Sequence, residues 1–229
     1  MRKLFLVLTL ITTMVHAQEV KQVPQISVSG EGKIKVIPDE ATITVAVENS
    51  GKDATEVKKL NDATVEKVLK AIKQAGIATT DFQSQRVNLN KNYDYNTKKY
   101  SYVANQTISI HLKDLKKYDK LMMDLVDSGI NNIQGVAFES SKIKEFERQA
   151  RKEAMLNAKE KATDYVSVLA GQKVGKALLI SENSATNYPR PQVYAMKSMA
   201  MESDSMPRET LASGEIEIIA TINVSFILE

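Results

Sequence analysis

Residues 216–228 read Ile216-Glu217-Ile218-Ile219-Ala220-Thr221-Ile222-Asn223-Val224-Ser225-Phe226-Ile227-Leu228. Ile216, Ile218, Ala220, Ile222, Val224, Phe226 and Leu228 fall at every second position, with mostly polar residues between them. A period of two places the first set on one face of a β-strand. With its lead-in the stretch holds about fourteen residues, roughly 46 Å at about 3.3 Å per residue. A typical strand has about six residues. A strand this long is expected to bend, to serve two sheets, or to pair with another chain.

Outward from this strand, the chain alternates strand and helix patterns. Ile26 to Val36 reads as a strand with Gly30 and Gly32 inside it, and Ala41 to Val47 as another, with Ile43, Val45 and Val47 on one face. Pro38-Asp39 between them predicts an antiparallel pair. Asp53 to Ala75 is a helix: Asp53 with Glu56 makes a capping-box variant, and Val57, Leu60, Thr64, Val68, Ile72 and Ala75 recur at helical spacing. Phe82 to Asn92 and Ser101 to Leu112 are strands. Asp114 to Ser128 is a second helix with Leu115, Tyr118, Met122, Leu125 and Val126 inward, followed by a strand from Ile133 to Glu139. A third helix lies within Ser141 to Ala170, where Phe146, Ala150, Ala154, Ala158, Ala162, Tyr165 and Leu169 form a stripe. The small residues at four-residue spacing permit close packing against a sheet or helix. Val174 to Ser181 is the next strand. The fold class that follows is α+β: mostly antiparallel sheets packed by three amphipathic helices, with a long C-terminal strand.

The start of the chain reads as an address. Arg2 and Lys3 precede an apolar run from Leu4 to Val15, and Val15-His16-Ala17 is a small-residue cleavage signal. This is the pattern of a secretory signal peptide over residues 1–17, cut after Ala17. Loss of Arg2 and Lys3 lowers the formal charge from +3 to +1 and leaves His111 as the one histidine. A nearly neutral protein gives no reason to expect nucleic acid as a partner. The chain has no cysteine, which excludes disulfides, thiol nucleophiles and thiolate metal sites. The remainder, 18–229, is expected to be one domain, with a division into two α/β halves at about 25–113 and 114–229 resting on the repeated helix–Gly–strand order.

Between the third and fourth strand patterns lies Tyr93-Asp94-Tyr95-Asn96-Thr97-Lys98-Lys99-Tyr100-Ser101-Tyr102. A four-residue loop at 96–99 predicts Tyr95 opposite Tyr100 and Tyr93 opposite Tyr102, on the face that also carries Val87, Leu89, Ile108 and Ile110. Tyrosines extending an apolar face suit a contact between subunits, since each has an apolar body and a polar tip, or equally a satellite core within the monomer. His111 falls on the opposite, polar face with Thr107 and Ser109. No Gly-x-Ser-x-Gly elbow accompanies it, and no paired carboxylates can be read beside it. No catalytic residues and no cofactor are expected. Gly30-Glu31-Gly32-Lys33 superficially suggests a phosphate loop, but its glycines sit inside a strand pattern and read as a close backbone approach or bulge.

Glu182 to Ser213 breaks the pattern, with Pro189, Pro191 and Pro207 and with Met196, Met199, Met201 and Met206. Met196, Met199 and Met201 suit an adaptable interface between copies. The same thioethers could hold Cu(I) or absorb oxidant as sulfoxide, an alternative reading of the segment.

Several stretches, taken in order, resemble the SIMPL-domain family. They are Ile26-Ser-Val-Ser-Gly-Glu-Gly32, Pro38-Asp39 with Ala41-Thr-Ile-Thr-Val45, Ala75-Gly-Ile77 with Asp81, and Ser128-Gly-Ile130. Gly135 to Phe138, the Ala/Lys helix, Leu169 to Gly175, the Met-rich segment and Gly214-Glu-Ile216 complete them. The resemblance spans about residues 25–228. It implies an α+β fold and a secreted or periplasmic protein, with outer-membrane or other peripheral envelope association in one relative. It also implies a non-enzymatic role in oxidative-stress or envelope defence and a homo-oligomer, since one bacterial relative forms a ring-like, channel-like assembly. An animal relative associates with an innate-immune kinase. The family supplies no catalytic residues and no small-molecule ligand.

Overall fold

The computed structural model describes residues 23–96, 98–182 and 211–229. The elements in order are β1 (Gln25–Val36), β2 (Glu40–Gly51), α1 (Ala54–Gln74), β3 (Phe82–Asp94), β4 (Lys99–Leu112), α2 (Tyr118–Ser128), β5 (Asn132–Glu139), α3 (Ile143–Ser167), β6 (Val174–Glu182) and β7 (Ile216–Leu228). They form an α+β fold of two antiparallel sheets, ordered β1-β7-β6 and β3-β4-β2-β5.

The long C-terminal strand finds its partner within the chain. β7 is the central strand of the first sheet, and β1 runs beside it in unbroken register from Gln25↔Ile227 to Val36↔Ile216. Its length is matched by the 12 residues of β1. The even-numbered residues of both strands turn toward α3, as the alternation requires. There Val28, Ile216, Ile218, Ile222, Val224 and Phe226 bury against Ala150, Ala154, Ala158 and Ala162. Gly30 and Gly32 lie at the crossing. A Cβ on Gly32 would stand 2.6 Å from the Ala154 nitrogen. The glycines are thus the close backbone approach read from the sequence, and Glu31 pairs with Lys33 rather than flanking a phosphate loop. The stripe runs less far than expected: Val166 closes it, while Tyr165 and Leu169 are exposed.

The expected pairing of the first two strands is not what forms. β1 belongs to one sheet and β2 to the other, where it sits between β4 and β5. Pro38-Asp39 is therefore a crossing between sheets and not a hairpin turn. The Asp39 carboxylate is the fixture there: it accepts from the Ser141 backbone N–H at 2.8 Å and from its hydroxyl at 2.5 Å, tying the crossing to the start of α3. Both sheets also draw strands from either side of residue 113, since β1 joins β6 and β7 while β5 joins β2.

The second sheet buries Ile43, Val45, Val47, Ile108, Ile110 and Leu112 under α1 and α2. Asp53 caps α1 by accepting from the backbone N–H groups of Thr55 and Glu56. The buried positions of α1 are Val57, Asn61, Val65, Val68 and Ile72, so Leu60 points outward where the sequence placed it inward. Asn61 is polar and hence escaped the hydrophobic period. Its amide donates to the Val47 carbonyl at 3.0 Å and the Ala104 carbonyl at 3.4 Å, across the β2–β4 seam. In α2 the buried set is Leu121, Met122 and Leu125, and Val126 is exposed, contrary to expectation. Asp114 caps a separate short 3-10 turn, Leu115–Lys117, before α2 begins; this displaces the helix start and turns its register.

Candidate functional site

The tyrosine hairpin is formed by β3 and β4. The ladder closes at Asp94↔Lys99, with Tyr93↔Tyr100 and Lys91↔Tyr102 above it. This is two residues from the register expected from a 96–99 loop, and the turn chemistry explains the difference. The Asp94 carboxylate accepts from the Asn96 backbone N–H at 2.8 Å, and Lys98 takes a left-handed φ of 53°. A shift of two preserves the alternation, so the tyrosines stay on the predicted face. Leu89↔Ala104 and Val87↔Gln106 continue that face. After a register shift between Ser84 and Arg86 it runs on to Ile108 and Ile110 in the core.

The structure brings three of the four tyrosines together. Tyr93 meets Tyr95 edge-on, with ring centroids 5.1 Å apart at 87°, and meets Tyr100 at 4.9 Å and 52°. Lys91 Nζ lies 4.0 Å above the centre of the Tyr100 ring. Tyr102 stands two pairs further in and is half-buried. The cluster is not a satellite core: Tyr95 is 84% exposed and Tyr100 57%, and Val87 and Leu89 beside them are also exposed. Aromatic pairs of this geometry contribute about 0.5–1.5 kcal/mol each beyond their burial, enough to order the rings against one another while leaving their outer faces open. The arrangement has the makings of a contact surface: pre-ordered aromatic rings, an apolar strip behind them, and a cation stacked on the last ring.

Met196, Met199 and Met201 lie outside the described residues, as do the signal-peptide residues 1–17. His111 is on the polar face as expected, but it has partners the sequence did not reveal. Its Nε2 lies 3.3 Å from a Glu40 carboxylate oxygen and its Nδ1 3.9 Å from Glu139, while Thr42 donates to Glu139 at 2.8 Å. Three strands, β2, β4 and β5, converge these residues from far apart in the chain. The carboxylates address opposite ring nitrogens and so do not converge on one point. Among the described residues, no group of three or more His, Asp or Glu is placed to hold a metal ion.

Two further carboxylates are held by neighbours. Asp81 accepts from Lys113 at 2.7 Å, and this hydrogen bond holds its carboxyl below the ordinary range. The Asp39 carboxyl is likewise held low, first by the Ser141 hydroxyl and then by the Ser141 backbone N–H. No helix among the described residues is long and apolar enough to cross a membrane.

Comparison with known proteins is consistent with this architecture. The chain is 27% identical over 217 residues to the uncharacterized protein YggE of Escherichia coli K12, covering 93% of this chain and 87% of that one. It is 28% identical over 221 residues to the 26 kDa periplasmic immunogenic protein of Brucella melitensis, covering 91% and 86%. A more distant relative is the human interleukin-1 receptor-associated kinase 1-binding protein 1, 22% identical over 206 residues, covering 88% and 76%. The SIMPL family pattern, described as a protein of unknown function (DUF541), matches residues 26–226, from the first residues of β1 to the end of β7. The chain therefore belongs to the SIMPL family.

Proposed function

We propose that this SIMPL protein is an exported, non-enzymatic protein that self-associates, with the tyrosine hairpin as a contact between copies. The assembly would serve envelope or oxidative-stress defence, as a scaffold or by enclosing a pore. One observation carries the contact: the apolar face of the second sheet runs out of the core onto the hairpin and ends there in ordered but exposed rings, Tyr93, Tyr95 and Tyr100. Exposed aromatic and aliphatic residues in one strip mark association surfaces. Location in the envelope is supported by the name of the Brucella relative, a periplasmic immunogenic protein. The role in stress defence rests on the family resemblance.

The test is the triple variant Y93S/Y95S/Y100S, followed by light scattering after size exclusion and by survival of peroxide in cells that depend on the protein. The proposal expects a lower assembly mass and lower survival with an unchanged circular dichroism spectrum. An unchanged mass removes the hairpin as a contact; a lower mass with full survival separates assembly from protection.

A further inference from the structure

We propose that β6 is a second self-association surface, on which two copies pair antiparallel about a two-fold axis at Leu179. This deepens the self-assembly reading above and rests on it. β6 is an edge strand: β7 takes one side, and among the described residues nothing pairs with the other. Every residue from Lys176 to Glu182 is exposed, and Leu178, Leu179 and Ile180 are successive. The opposite edge of the same sheet is built differently. There β1 sets Glu31, Lys33 and Lys35 along its exposed positions. Charges along an edge deter pairing with another chain, and an apolar edge without them invites it. β6 has no charge between Lys176 and Glu182.

The charge pattern selects a second copy as the occupant. The outer edge reads Lys176-Ala177-Leu178-Leu179-Ile180-Ser181-Glu182. Antiparallel pairing centred on Leu179 sets Lys176 opposite the partner's Glu182, and by symmetry the reverse at the other end. Leu178 then faces the partner's Ile180, and Leu179 faces its own counterpart. Moving the centre to Leu178 sets Lys176 opposite Ile180, and moving it to Ile180 sets Glu182 opposite Leu178; either shift loses both ion pairs. A two-fold interface requires this kind of self-complementarity. Opposite charges directly across an antiparallel pair support the register, and like charges oppose it. The ladder to β7 is irregular between Ala177 and Leu179, and Leu179 to Glu182 run in regular register, so the axis falls at the start of the regular half. Glu182 also meets Arg151 of α3 at 3.7 Å. The product is a continuous sheet in which β6 of each copy is interior.

The chain has no cysteine, so single substitutions report cleanly. In purified protein, L179C is oxidised under mild conditions beside S29C, a control on β1. The pairing predicts a disulfide-linked dimer for L179C and none for S29C. Adding K176E to the L179C protein should slow dimer formation about tenfold, because each Glu would then face the partner's Glu182. Adding E182K as well should restore it. An L179C protein that links no faster than S29C overturns the inference, including where a segment of the same chain closes the edge. A charge swap that fails to restore linking also overturns it. Light scattering on the unsubstituted protein separates the two proposals. A mass of several chains without L179C linking removes β6 pairing alone, whereas the mass of one chain removes self-association altogether.

Discussion

Gly30 of β1 lies directly under Ala154 of α3: a Cβ on the glycine would run into the Ala154 carbonyl oxygen and stand 2.7 Å from the Ala158 Cβ. The glycine and the alanine together let a helix backbone settle onto a strand. Gly30→Ala and Gly32→Ala must push α3 off the sheet, and each is expected to cost about 1–3 kcal/mol or more. Gly135→Ala in β5 is the control, since nothing lies within 4 Å of its Cβ position. It should stay within about 0.5 kcal/mol of the parent. Denaturant titration of the three variants measures the contrast.

This contact was legible in the sequence from both sides, as two glycines in a strand and an alanine stripe at four-residue spacing. What was not legible was which strand faced which. The turn chemistry of Pro38-Asp39 suits a hairpin as well as a crossing. The side chain that decides between them, Ser141, lies 102 residues away from Asp39. Asn61 was hidden for a related reason: a hydrophobic period cannot register a buried amide whose acceptors are carbonyls on two other strands. The tyrosines were found because their alternation survives a register error of two. Glu40 and Glu139 were missed beside His111 because strand order, not spacing, brings them there.

Asn61→Ala tests the seam. The substitution removes the donor to the Val47 and Ala104 carbonyls inside the core. Loss of a buried hydrogen-bonding partner costs about 1–3 kcal/mol. Asn61→Leu removes the same donor and should also be less stable than the parent. Equilibrium unfolding is the measurement; a variant as stable as the parent would mean the seam needs no donor.

Asp39 predicts an acid dependence with a definite sign. Its carboxyl is held below the ordinary value of 3.8 by the Ser141 hydroxyl and backbone N–H. The stabilisation is therefore fully present above 3.8 and is lost as pH falls through the lower folded-state value. Asp81, held low by Lys113, titrates in the same direction. Ser141→Ala should lower stability at neutral pH and flatten its fall in acid. Denaturant midpoints at about pH 7 and about pH 3 give both readings. A Ser141→Ala protein with an unaltered acid slope would place the dependence elsewhere.

The hairpin predicts a separation between assembly and folding. Tyr95 and Tyr100 project from the sheet and bury little, so Y95S/Y100S should cost no more than the two ring contacts they make with Tyr93, about 0.5–1.5 kcal/mol each. The same variant should lower the assembly mass. Thermal unfolding and sedimentation on one sample decide it: a large loss of stability would make the rings part of the core instead.

Self-association is the claim on which the account turns, and the absolute mass of the purified protein by light scattering after size exclusion tests it most directly. The account predicts a mass several times that of one chain, falling when the tyrosine rings are removed. The mass of a single chain, held across the concentration range, would contradict it.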